Sequence, residues 1–179
     1  NGNESVIAVA SDEILTAVTL PVLDLNDTPA IADFSEVVRL RPGDAIGYLS
    51  RGKAYKAQGE TDKAIADLSQ AIRFQDNTPG PYSHRGVLYS RENELDLAIE
   101  DFSEVIRLDA ENPRPYYNRG RAYDRKGDSV RAINDYDVAI RLDPRNPRFY
   151  VGRGVAHRNA GDFERAIADY NRALSMEPE

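Results

Sequence analysis

The chain has 179 residues, 41% hydrophobic and 30% charged, a composition that folds rather than stays disordered. Its formal charge of −7 argues against a general affinity for nucleic acid, and the absence of cysteine removes disulfides and thiolate metal sites. No apolar run approaches the roughly 20 residues that a membrane-spanning helix needs. Asn1 in place of methionine points to a processed or trimmed chain, with the compartment, cytoplasmic or periplasmic, left open.

Residues 1–27 fit no period well. Ser11-Asp12-Glu13 ahead of Ile14, Leu15 and Val18 predicts a short helix that Pro21 ends or kinks, and Asn1 to Ser5 are expected to fray. From residue 28 the chain repeats. Thr28-Pro29-Ala30-Ile31-Ala32-Asp33-Phe34 matches Asp62-Lys63-Ala64-Ile65-Ala66-Asp67-Leu68 one period later. Residues 28–43 therefore read as the second helix of a repeat whose first half, within 1–27, has degenerated.

Four full repeats follow, at 44–77, 78–111, 112–145 and 146–179, and a Tyr-x-x-Arg-Gly-x-x-Tyr skeleton marks each one. Its glycines, Gly52, Gly86, Gly120 and Gly154, are spaced by 34 residues, and in the fourth copy His157 takes the last tyrosine's place. A fixed period of that length is the mark of a stacked array. Each first helix starts at a capping residue, Asp44, Thr78, Asn112 or Asn146, followed by proline in the last three. Proline suits that position, because it fixes φ where the N–H has no helical partner in any case. Gly59, Asn93, Gly127 and Gly161 then supply the left-handed residue that closes a helix.

The second helices carry apolar residues at i, i+1, i+4, i+7 and i+8, as in Ala132, Ile133, Tyr136, Ala139 and Ile140. One hairpin cannot cover such a face, so the hairpins must stack, which predicts an all-α solenoid.

These landmarks resemble the tetratricopeptide repeat family. In the third repeat Tyr116, Gly120, Tyr123, Ala132, Tyr136 and Pro144 fall in the family's register, and the resemblance spans about 28–179. It implies a right-handed superhelix of antiparallel helix hairpins that binds partner proteins in a concave groove. The chain departs from the family at two places. Arginine (Arg51, Arg85, Arg119, Arg153) stands where leucine usually precedes the glycine, and aspartate (Asp67, Asp101, Asp135, Asp169) stands where tyrosine is common in the second helix. The half repeat keeps Asp33. Both positions change together in every full repeat, so an Arg–Asp bridge is expected, either within a repeat or to the preceding one.

The family's groove positions fall on Lys53, Lys56, His84, Arg91, Arg114, Tyr117, Asn118, Arg121, Arg125, Arg148, Arg158 and Asn159, among others. Of the 24 such positions eight are Lys or Arg and only Asp124 is acidic, although the whole chain has 30 acidic and 23 basic residues. That segregation predicts a groove for a protein or peptide of acidic character, or one ending in a carboxylate. Asn118, Arg121 and Arg125 are placed at its centre, with Tyr117 as apolar anchor.

The histidines His84 and His157 are far apart in the chain, and with no cysteine they suggest no metal site. No phosphate-cradling glycine loop, Ser/His/Asp set or nucleophilic cysteine is present, so neither enzyme nor cofactor is expected. The competing reading is a self-associating structural protein. Its contact would be the last helix, where Ile167, Tyr170 and Leu174 have no capping helix after them. A further reading makes the chain a fragment of a larger multidomain protein.

Overall fold

The computed structural model describes residues 28–75 and 77–176. The short helix expected within residues 11–21, and with it the degenerate half repeat, lies outside the described residues. Those described form nine α-helices: α1 Thr28–Leu40, α2 Ala45–Ala57, α3 Thr61–Phe74, α4 Pro79–Arg91, α5 Leu95–Leu108, α6 Pro113–Arg125, α7 Ser129–Leu142, α8 Pro147–Asn159 and α9 Phe163–Leu174.

Local chemistry sets the boundaries. The side chains of Asp44, Asn112 and Asn146 accept from the backbone N–H of Ile46, Arg114 and Arg148, satisfying a donor that the first turn leaves free. Pro79, Pro113 and Pro147 open their helices. The turns inside the hairpins need φ > 0. Gly59, Gly127 and Gly161 adopt 78°, 81° and 84°, and Asn93, the one non-glycine described residue there, adopts 65°.

Pairing follows chain order. α2 packs on α3, α4 on α5, α6 on α7 and α8 on α9, while α1, α3, α5 and α7 each receive the following helix. Beyond these, α2, α4, α6 and α8 touch one another in succession, and no such contact joins one second helix to another among the described residues. An array whose first helices meet while its second helices stay apart must curve toward the first. That places α2, α4, α6 and α8 on the inner face of the solenoid.

The core lies between helices. Leu68, Phe102 and Tyr136 occupy one place in successive repeats, each at most 1% exposed, against the buried alanines Ala64, Ala98 and Ala132. The motif glycine permits the approach. A Cβ on Gly120 would stand 3.1 Å from Tyr136 Cε1 and 3.2 Å from the carbonyl oxygen of Ala132.

Candidate functional site

This close approach brings the motif arginine of each first helix beside the aspartate of the second helix of its own repeat. Arg51 Nε and Nη2 donate to Asp67 Oδ2 and Oδ1 at 2.7 and 2.8 Å. Arg85 holds Asp101 at 2.9 and 2.7 Å, Arg119 holds Asp135 at 2.8 Å twice, and Arg153 holds Asp169 at 2.9 and 2.6 Å. All four forks are bidentate, the geometry in which guanidinium and carboxylate interact most strongly. The four aspartates are buried at 3–6% exposure. For Asp101, burial outweighs the pull of Arg85 and raises the carboxyl above its usual range.

The guanidinium also reaches the preceding repeat, at a serine two residues after the aspartate rather than at the aspartate itself. Arg51, Arg85 and Arg119 donate through Nη1 to Ser35, Ser69 and Ser103 Oγ at 3.3, 2.9 and 2.9 Å. Those hydroxyls donate onward to the carbonyls of Ile31, Ile65 and Ile99 at 2.7 Å. In the fourth repeat Asp137 replaces serine and accepts from Arg153 Nη1 at 2.6 Å. Two tyrosines clasp each of the first three guanidinium groups. Their ring centroids lie 5.8 and 5.9 Å from Arg51 Cζ, 5.9 and 5.6 Å from Arg85 and 6.0 Å twice from Arg119.

On the inner face the candidate residues separate into two groups. Along α2 and α4, the cations Lys53, Lys56 and Arg91 gather around a neutral His84 ring. Lys56 Nζ lies 3.2 Å from His84 Nδ1. Burial first, then the charges of Arg91 and Lys53, lowers the Lys56 ammonium below its ordinary pKa. Burial first, then Lys56 and Lys53, lowers His84 to about 4. Among the described residues no carboxylate forms an ion pair with Lys53, Lys56 or Arg91.

Along α6 and α8 the groove residues are engaged with the protein itself. Arg125 donates through Nη1 to the Ser90 carbonyl and through Nη2 to Asn93 Oδ1 at 2.9 Å. Asn159 Nδ2 donates to Asp124 Oδ1 at 2.9 Å. Tyr117 packs between Tyr136 and Phe149, at ring distances of 5.8 and 5.2 Å, and Arg121 lies over its ring at 5.8 Å. The ring expected to anchor a partner thus fills a joint between repeats. Arg114, Arg121, Arg148 and Arg158 are exposed and Asn118 is half-buried.

A family model described as tetratricopeptide repeat matches residues 117–179, and one described as TPR repeat matches 52–93 and 89–127. The chain belongs to the tetratricopeptide repeat family. Solved structures agree with that fold. A crystal structure of MamA matches with TM-score 0.79 at 25% identity, over 82% of this chain and 85% of that one. MamA from Desulfovibrio magneticus RS-1 matches with TM-score 0.79 at 19% identity, over 83% and 84%. A chain of the APC/C Cut9–Hcn1 hetero-tetramer matches with TM-score 0.71 at 20% identity, over 83% of this chain and 28% of its own. A search of curated proteins gives no match.

Within this tetratricopeptide array the serines of the ladder escaped the sequence reading, although Ser35, Ser69, Ser103 and Asp137 keep the 34-residue period. The tyrosines were read as packing residues only. Their spacing of −3 and +4 around the arginine puts both rings on its side of the helix. Among the described residues no His/Cys/Asp/Glu group could hold a metal, and no helix is long and apolar enough to cross a membrane.

Proposed function

We propose that the inner face of this helical-repeat, protein-interaction scaffold binds a peptide of acidic character, or one ending in a carboxylate, and that Lys53, Lys56, His84 and Arg91 form the anion-receiving end. One observation carries this reading: four nitrogenous side chains converge between α2 and α4 with no carboxylate among them. Their mutual repulsion disfavours the protonated forms, and an incoming carboxylate relieves it. Its binding is therefore coupled to charge already held in place. Arg121, Arg148 and Arg158 extend the basic surface along the groove, while Arg125 and Asn159 serve chiefly to tie adjacent first helices.

Fluorescence anisotropy with a labelled acidic peptide tests the proposal. Lys53→Glu with Lys56→Glu should weaken binding by more than tenfold while the circular dichroism spectrum is unchanged, and raising the salt concentration should weaken the native protein's binding. Unaltered affinity in the double variant would falsify the assignment.

A second reading, self-association through α9, is favoured by a different observation. Phe163, Ile167 and Leu174 are 64%, 59% and 67% exposed, whereas Ile133 and Ile140, one period before Ile167 and Leu174, are half-buried beneath the next repeat. Sedimentation equilibrium tests it, and a monomer at high concentration argues against it.

A further inference from the structure

The fourth repeat breaks the clasp around its arginine. In the third repeat the ring of Tyr123 stands between two guanidinium groups, with Arg119 Cζ 6.0 Å and Arg131 Cζ 4.5 Å from its centroid. In the first repeat Tyr55 stands likewise between Arg51 at 5.9 Å and Lys63 Nζ at 5.3 Å. One period after Tyr123 comes His157, and one period after Arg131 comes Arg165. The shorter imidazole turns into the core, at 8% exposure, and Arg153 keeps only the Tyr150 ring, at 5.7 Å.

A pocket of about 350 Å³ opens at this place, lined by Arg153, Arg165, His157, Asp137, Asp169 and Ile133. Arg153, His157 and Arg165 are the fourth-repeat counterparts of Arg119, Tyr123 and Arg131, and the cleft between them is open to solvent. Its formal charges cancel, two arginines against two aspartates, so it favours neither an anion nor a cation. What fits is a flat uncharged ring carrying one polar group within reach of Arg165, whose side chain is 73% exposed and pairs through Nε with Asp162 at 3.4 Å.

We infer that this pocket receives a tyrosine side chain from a partner polypeptide, which completes in trans the clasp that Tyr55 and Tyr123 complete in cis. The site lies between α7, α8 and α9, and the inference does not rest on the reading of the inner face.

The probe is N-acetyl-L-tyrosinamide, titrated into the full chain and followed by protein NMR shifts of the fourth repeat, with N-acetyl-L-phenylalaninamide as comparison. Saturable shifts at the Arg153, His157 and Arg165 resonances are expected for the tyrosine amide. His157→Tyr, which fills the space with the residue of the other repeats, and Arg165→Ala, on an exposed side chain, should each weaken binding about tenfold or more. No saturable binding, equal affinity for the two amides, or native affinity in both variants overturns the inference.

Discussion

The buried forks make a thermodynamic prediction that separates attraction from mere proximity, and the central pair Arg85–Asp101 is the place to test it. The Asp101 side chain is 4% exposed and that of Arg85 19%, so neither charge can turn to water when its partner goes. Asp101→Ala strands a guanidinium between the rings of Tyr82 and Tyr89 with Ser69 as its one remaining bonded acceptor among these contacts. Arg85→Leu strands a carboxylate beside Phe102. Removing one member of a buried pair costs about 3–5 kcal/mol, chiefly because the other charge stays buried and uncompensated. The double variant Arg85→Leu with Asp101→Ala removes both charges and should fall only about 1–2 kcal/mol below the native chain, through lost packing. The coupling energy is then at least about 4 kcal/mol.

Urea unfolding followed by circular dichroism at fixed pH gives all four corners of this cycle. Thermal midpoints check the order, since about 1 kcal/mol moves the midpoint of a chain this size by roughly 2–4 °C. The raised Asp101 carboxyl pKa already indicates that desolvation exceeds the attraction of Arg85 for that group. For this pair the expectation is that the fork sets register more than it adds net stability. Single variants that sum to the double within about 0.5 kcal/mol would refute the reasoning.

Other expectations follow from the same geometry. Gly120→Ala gains about 1 kcal/mol of helix propensity but forces a methyl against Tyr136 and the Ala132 carbonyl, for a net loss of up to about 2 kcal/mol by urea unfolding. Tyr136→Ala, at a position 1% exposed, should cost about 3–5 kcal/mol and leave the third and fourth repeats the first to lose protection in hydrogen exchange. His84 is held at about 4, against 6.5 in an unexposed-to-charge reference, so the folded ring stays neutral where the unfolded chain takes up a proton. Its contribution to stability is complete above pH 6.5 and fades as pH falls from there toward 4. The native chain should thus lose stability relative to His84→Gln across that window, and an NMR titration of the ring showing a midpoint near 6.5 would contradict this. Binding of an acidic peptide should move that midpoint upward, because an anion favours the imidazolium.

The period of 34 residues made the architecture legible, because each signal it carries is local. A capping residue, a proline with no N–H to lose, a left-handed closing residue and a small residue at each close approach all act within a few positions of the chain. The Arg–Asp substitution was legible for a related reason, since paired changes recurring in register point to contact. Its mode was not: bonding inside the repeat and stapling to the serine behind it both depend on how far Gly52 and its counterparts let the helices close. The inner face was the hardest to read, since position on a helix says which way a side chain starts and not what meets its end. Arg125 and Tyr117 start toward the groove and finish on Ser90, Asn93, Tyr136 and Phe149 of neighbouring elements. Lys53, Lys56 and Arg91 meet no carboxylate partner among the described residues. Counting cations along the groove weighs these two sets equally. Asking which cations remain uncompensated moves the weight to the first and second repeats, and there Lys53→Glu with Lys56→Glu should do more damage to acidic-peptide binding than Arg121→Glu with Arg125→Glu. Equal loss in the two double variants would return the centre of the site to the third repeat.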